Sequence, residues 1–261
     1  MKLLLVAVNA KYIHSNLALR YLENLSKDIC DTKLVEYSIN DNIMAIERDI
    51  ILSKPDIIAF SAYIWNIQFI LNISSDLKKA LPNIKIILGG PEVSYDAIRI
   101  LDKHEYIDYI VKGEGEITFP KLVGYLSDKN PMPDCGVAKR DGDKIIDAPY
   151  SPLPDFSQIP FPYNDSNIKE FDGKIIYYET SRGCPYNCKY CLSGERGNVR
   201  FKDIETIKKE LKFFSDNKIP LVKFVDRTFN ADKKRARQIW EYISSLKTQT
   251  RFHMEITGEL L

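Results

Sequence analysis

The apolar positions of this chain change period several times. Residues 2–9 (KLLLVAVN) are a nearly continuous apolar run, the pattern of a strand buried on both faces. Residues 33–39, 56–63, 85–90 and 106–113 are four further short runs of strand type. Between the runs, apolar residues recur at helical spacing. Leu17, Tyr21, Leu22 and Leu25 do so in one segment, and Ile67, Ile70, Leu71, Leu77 and Leu81, with one phase break, in another. Ser15 or Asn16 is placed to cap the first of these helices. Five strand–helix units in succession predict a doubly wound parallel sheet over residues 1–130. The flavodoxin-like strand order 2-1-3-4-5 is favoured, which puts a ligand crevice at the switch between the first and third strands.

The texture changes after residue 130. Residues 136–146 (GVAKRDGDKII) read as a hairpin with its turn at Asp141-Gly142. Pro149, Pro152, Pro154, Pro160 and Pro162 then fall within fourteen residues. Residues 131–170 are therefore expected to be a hairpin and a stiff, extended linker. From residue 171 the alternation restarts: strand 174–181, helix 204–217, strand 221–226, helix 233–247 and strand 252–257. That order is the opening of a β/α, TIM-like barrel. Only three strand patterns follow the linker, so residues 171–261 are expected to hold about the first half of such a barrel, stopping after the third strand. The chain is accordingly expected to be the N-terminal part of a longer protein.

Charge narrows the class. Lys and Arg number 37 against 36 Asp and Glu, a formal net charge of +1. This balance gives no reason to expect a nucleic-acid or membrane-surface partner. No apolar run approaches the roughly 20 residues needed to span a bilayer. The apolar start is short, with a single Lys and no small-residue cleavage site, so it reads as a strand and not a signal peptide. A cytoplasmic location is expected. With 44 % apolar residues the chain has the composition of a globular protein with a real core. Of five cysteines, three fall within eight residues, which suits a metal site better than a disulfide scaffold.

Those three stand in Arg182-Gly183-Cys184-Pro185-Tyr186-Asn187-Cys188-Lys189-Tyr190-Cys191, a C-x3-C-x2-C spacing. Closely spaced thiolates suit a soft metal, and iron–sulfur clusters are held by such thiolates. Zinc is the competitor, but a structural zinc site takes four ligands. The nearest other candidates, Cys135 and His253, are about fifty and sixty residues away. The bland alternative is one face of an amphipathic helix, since positions i, i+4 and i+7 lie together. Gly183 and Pro185 make a helix start there awkward.

The C-x3-C-x2-C with an aromatic, Tyr190, before its last cysteine, just after the first strand of a β/α barrel, resembles the signature of the radical S-adenosylmethionine (radical SAM) superfamily. The resemblance implies a [4Fe–4S] cluster with three irons on Cys184, Cys188 and Cys191. Its fourth iron would chelate the amino and carboxylate groups of S-adenosylmethionine. One electron would then split the C5′–S bond to give methionine and a 5′-deoxyadenosyl radical. It further implies an electron donor such as flavodoxin or ferredoxin. The backbone at Tyr190 would face the adenine, and Asp226, at the end of the second barrel strand, and Glu255, on the third, would meet polar groups of S-adenosylmethionine. A carboxylate at a strand end can equally cap the next helix.

A doubly wound domain ahead of such a core resembles the cobalamin-binding subfamily. Four loops carry the likeness: residues 9–16 (NAKYIHSN), 61–66 (SAYIWN), 89–94 (GGPEVS) and 113–116 (GEGE). Each follows a strand, where open α/β sheets bind ligands. The resemblance implies cobalamin at Asn9, Ser61, Ala62, Tyr63, Gly89, Gly90, Pro91, Glu92, Gly113, Gly115 and Glu116. Gly89 and Gly90, like Gly113 and Gly115, let backbone approach closely. The Asp-x-His-x-x-Gly motif of proteins that bind cobalt through histidine is missing. His14, the one histidine near the expected crevice, therefore reads as a capping or surface residue. Trp65 and Tyr63 either line the crevice or pack the third helix, and Phe69 reads as core. No GxGxxG dinucleotide fingerprint is present.

Three readings follow. The first is a cobalamin-dependent radical SAM enzyme, methylating an unactivated centre of a small-molecule or peptide substrate that the sequence does not name. Rearrangement, cyclisation or methylthiolation are its variants. The second is a non-enzymatic metal-holding module, and the third a cobalamin carrier or sensor.

Overall fold

The computed structural model describes residues 1–194 and 199–260, and the chain divides into two units, Met1–Pro154 and Asp155–Leu261. In the first unit β1 (Lys2–Asn9), β2 (Asp31–Ser38), β3 (Ile57–Ser61), β4 (Lys85–Gly89) and β5 (Tyr109–Val111) run parallel. The helices α1 (Leu17–Ser26), α2 (Ile43–Ser53), α3 (Ile67–Ala80), α4 (Pro91–Ser94), α5 (Ala97–Lys103) and α6 (Gly115–Leu126) alternate with them. The order β2-β1-β3-β4-β5 is the expected one. Alternation along β1 explains the unbroken apolar run. Leu4, Val6 and Val8 pack into one core with Ile58, Phe60, Ile70 and Leu77, and Leu3, Leu5 and Ala7 into the other with Leu19, Phe119 and Val123.

The hairpin continues this sheet. β6 (Val137–Asp141) pairs antiparallel with β5, and β7 (Lys144–Asp147) pairs with β6. Val137 and Ala138 bury their side chains on opposite faces, one in each core. An apolar strand at an open sheet edge gains both hydrogen bonds and burial by pairing there, which a free linker would forgo. β5 is shorter than expected, and Asp108 precedes it with its backbone N–H bonded to Ile86 O (3.1 Å). Its carboxylate accepts from Ile86 N (2.8 Å) and from Lys78 Nζ (2.9 Å), and Gly113, at φ 74°, turns the chain after the strand.

In the second unit three strands run parallel in the order β12-β11-β8: β8 (Ile176–Tyr178), β11 (Leu221–Phe224) and β12 (Arg251–His253). β9 (Ser181–Arg182) and β10 (Arg200–Phe201) form a separate antiparallel pair. Helices α7 (Ile204–Asp216) and α8 (Lys233–Ser245) follow, capped by Asp203 and Asp232, whose side chains accept from Thr206 N and Arg235 N. Two strands differ from expectation. The run 174–181 is broken at Glu179-Thr180, because Thr180 N turns to Asp226 Oδ2 (2.9 Å). The third strand stops at His253, because the chain beyond pairs with the loop after β11. There Phe229 N donates to Glu255 O (3.0 Å), and Asn230 bonds both backbone groups of Thr257.

An aromatic cluster forms the core of this unit. The Phe214 ring meets Phe161 (5.4 Å), Tyr163 (5.5 Å), Tyr178 (5.4 Å) and Phe213 (5.9 Å) at steep angles, the favoured edge-to-face geometry. Phe161 and Tyr163 come from the proline-rich stretch, so its second half belongs to this core. Its prolines forgo ladder hydrogen bonds, but the aromatics between them carry too much apolar surface to stay in water. Among the described residues no helix is long and apolar enough to cross a membrane.

Phe214→Ala should destabilise the second unit by about 3–5 kcal/mol, the cost of an emptied aromatic site. Urea unfolding followed by near-ultraviolet circular dichroism measures this. A loss below ~1 kcal/mol would mean that the cluster does not hold the unit.

Candidate functional site

The crevice loops of the first unit are tied together by buried amides. Asn66, at the start of α3, is 1 % exposed. Its side chain accepts from Tyr63 N (2.7 Å) and donates to Val8 O (2.9 Å) and Ser61 O (3.0 Å), which fixes the end of β1 and the turn after β3. Asn16 caps α1 by accepting from Leu19 N, and its Nδ2 donates to Ser61 Oγ (2.8 Å). Asn16 N donates to Glu36 Oε1 (2.6 Å), and Glu36 also pairs with buried Arg20 (3.0 Å). Asn9 Nδ2 donates to His14 O (2.9 Å), so this histidine enters the frame through its backbone.

The loops after β4 and β5 are joined in the same way. Ala62 N donates to Gly89 O (2.7 Å). Gly90 has φ 108°, and a Cβ there would collide with the Ala62 carbonyl oxygen. Its glycine is required by the protein's own backbone, whereas the sequence suggested only room for a ligand. Ser94 Oγ donates to Gly90 O (2.8 Å) and accepts from Gly113 N (3.2 Å). Tyr150 OH donates to Ser94 O (2.8 Å), and the Lys112 ammonium lies 4.8 Å from the Tyr150 ring and pairs with Asp147. Gly115 is different: a Cβ there would make ordinary contact with Leu22 at 3.5 Å.

Of the residues expected at this crevice, Asn9, Ser61 and Ala62 are buried, Tyr63, Gly89, Gly90, Gly113, Gly115 and Glu116 half-buried, and Pro91 and Glu92 exposed. Tyr12, Ile13, Ile64 and Trp65 are exposed on the loops that follow β1 and β3, and Tyr95 is exposed between α4 and α5. The Tyr63 and Trp65 rings stack at 4.5 Å, nearly parallel. Large apolar groups held in water at strand ends suit a broad ligand with an apolar face.

In the second unit the cysteines follow β9, beginning at Gly183, whose φ of 95° turns the chain out of the strand. All three thiols are free, with Cys184 half-buried and Cys188 and Cys191 exposed. Cys184 Sγ lies 3.6 Å from Thr228 Oγ1, on the loop after β11. Backbone and side-chain hydrogen bonds from Ser193 pull the Cys191 thiol below its ordinary pKa, with a smaller pull from Arg227. Among the described residues no three of His, Cys, Asp or Glu stand within reach of one metal ion. The loop thus presents its thiols without gathering them. Three thiols on one loop are the donor set an iron–sulfur cluster needs.

Tyr190 is 92 % exposed. Glu255 is exposed, with its carboxylate 3.6 Å from Lys223 Nζ. Asp226 differs from expectation. It is 1 % exposed, and its two oxygens accept from Thr180 N (2.9 Å), Thr180 Oγ1 (2.6 Å) and Ser181 Oγ (2.5 Å). Burial pushes its pKa up, while these donors and Arg235 pull it down. Neither reading of Asp226 from sequence, cofactor contact or helix cap, describes this; the helix cap beside it is Asp232. Asn66 and Ser94 were legible only as the last residues of two crevice loops, and Arg235 gave no signal of its own, because a polar residue inside a helical pattern looks the same whether it faces water or a loop.

Comparison with known proteins agrees with this division. The description "B12 binding domain" matches residues 3–123 and "Radical SAM superfamily" residues 178–261. The chain is 28 % identical over 192 residues to the cobalamin-dependent radical SAM methyltransferase TokK of Streptomyces tokunonensis, covering 67 % of this chain and 28 % of that protein. It is 35 % identical over 127 residues to an anaerobic magnesium-protoporphyrin IX monomethyl ester cyclase of Synechocystis, covering 46 % of this chain and 25 % of that one. The chain thus spans well under half the length of both relatives. The solved structure of OxsB, a cobalamin-dependent S-adenosylmethionine radical enzyme with aqua-cobalamin and S-adenosylmethionine bound, superposes with a TM-score of 0.79 at 20 % identity, over 96 % of this chain and 38 % of that one. That likeness shows the fold. Residues 3–123 are thus similar to a B12 binding domain and residues 178–261 to the radical SAM superfamily.

Proposed function

We propose that the chain binds a [4Fe–4S] cluster, S-adenosylmethionine and cobalamin, and that the whole protein is a radical enzyme methylating an unactivated centre. The observation that carries this is the set of three free thiols on one loop at the carboxyl end of a parallel β/α sheet, inside the segment that matches the radical SAM superfamily. When bound, these groups supply one-electron cleavage of S-adenosylmethionine and a methyl group for transfer.

The chain's own residues do the holding. Cys184, Cys188 and Cys191 ligate the cluster as thiolates, and Ser193 favours that form at Cys191. Tyr190 and Glu255, both exposed, are available to S-adenosylmethionine. In the first unit the framed loops hold cobalamin against their exposed aromatic and aliphatic side chains. No histidine ligates cobalt in this reading, since the Asp-x-His-x-x-Gly motif is missing. The electron comes from a flavodoxin- or ferredoxin-like donor, and the protein works in the cytoplasm. A second reading, ring closure, is favoured by the 35 % identity to the ester cyclase. Product mass distinguishes the two: a gained methyl group against lost hydrogen.

Cys184→Ala, Cys188→Ala and Cys191→Ala should each abolish cluster uptake on anaerobic reconstitution, while Cys30→Ala and Cys135→Ala should leave iron and sulfide content unchanged. Cluster loss in Cys30→Ala with retention in Cys188→Ala would refute the assignment. Titration with hydroxocobalamin should show uptake by the intact protein. Gly90→Ala should weaken it about tenfold, since φ 108° and the Ala62 carbonyl both oppose a side chain. His14→Ala should leave the cobalamin spectrum unchanged. No uptake by the intact protein would remove cobalamin from the proposal.

A further inference from the structure

The cysteines lie between two stems, residues 180–182 and residues 200–202, and these stems are joined. Ser181 pairs with Phe201 and Arg182 with Arg200 in the β9–β10 ladder. Lys202 N donates to Thr180 O (2.9 Å). Beneath the ladder Arg235, from the first turn of α8, donates through Nη2 to Thr180 O (2.8 Å) and Lys202 O (3.3 Å), one carbonyl on each stem. Its Nη1 donates to Thr180 Oγ1 (3.2 Å), and the guanidinium lies 4.9 Å from the Phe201 ring. Asp226 takes three donors from the outgoing stem, as described above. Lys202 is anchored in turn, its Nζ donating to buried Glu210 (2.9 Å), which also accepts from Tyr178 OH (2.5 Å).

Thr180 is fully buried, and Asp226 and Arg235 are 1 % and 6 % exposed. Charged groups at such depth carry a large desolvation cost, and they persist where charge-assisted hydrogen bonds offset it. Here those bonds converge on the two stems. We propose that Asp226 and Arg235 are positioning residues that close the neck of the cysteine loop, setting where its three thiols are offered to the cluster. They act through Thr180, Ser181 and Lys202 and touch neither cluster nor S-adenosylmethionine. This rests on the cluster reading given above.

The test compares the wild-type protein with Asp226→Asn, Arg235→Met and, as a destabilised control on α8, Ile239→Ala. In the iron-free protein, amide hydrogen exchange at Thr180 and Lys202 should quicken at least about tenfold in Asp226→Asn and Arg235→Met, the size expected for a lost charge-assisted bond. After anaerobic reconstitution both variants should release iron to a chelator about tenfold faster than wild type and show a changed electron paramagnetic resonance spectrum of the reduced cluster. Ile239→Ala should lower the melting temperature yet keep the wild-type exchange at the neck, iron-release rate and spectrum. If Asp226→Asn or Arg235→Met does not fold, Ser181→Ala, which deletes one donor to Asp226, should show the same changes at about threefold. Wild-type exchange and spectra in the neck variants, or equal effects from Ile239→Ala, would overturn the proposal. A wild-type protein that takes up no cluster would instead overturn the cluster reading, while the exchange result still decides whether the neck exists.

Discussion

A parallel sheet pairs its backbone only as far as its strands run in register. Past the carboxyl ends, N–H and C=O groups leave the ladder, and any that stay buried must find other partners. Everything functional in this chain depends on how that constraint is met, because the ends of the strands are where both units place their candidate ligand loops. In the first unit one buried amide, Asn66, holds the ends of β1 and β3 together with three hydrogen bonds. In the second, Asp226 and Arg235 do the equivalent for the stems around the cysteines. Each solution uses a side chain that would be costly to bury for any other purpose.

Strand order, the alternation of strands and helices and the hairpin were readable because they follow from apolar periodicity and turn residues. The extent of each unit was not. The hairpin looks like a connection in sequence, yet Val137 and Ala138 bury on a sheet edge that only the fold reveals. The proline-rich stretch looks stiff and extended, yet Phe161 and Tyr163 are part of an aromatic core. Both misreadings arise because apolar content near turn residues does not say which partner surface is close in space.

The candidate site divides in the same way. The cysteines announced themselves, since three thiols in eight residues have few other uses. Glycines in the crevice loops were legible as points of close approach, but Gly90 approaches Ala62 rather than open space. Asp226 stood at the expected strand end, and its chemistry was hidden because a carboxylate in sequence does not show which donors will face it. Ser94 and Tyr150 were invisible for a like reason. Ser94 links the loops after β4 and β5, and Tyr150, after β7, bonds to Ser94 across 56 residues of chain.

The central claim is that Cys184, Cys188 and Cys191 hold three irons of a four-iron cluster and leave the fourth open to S-adenosylmethionine. Mössbauer spectroscopy of protein reconstituted with iron-57, before and after adding S-adenosylmethionine, tests it most directly. The account predicts a four-iron cluster in which one iron changes its isomer shift when S-adenosylmethionine is added. Iron bound singly, retention of zinc in its place, or a cluster whose four irons ignore S-adenosylmethionine would contradict it.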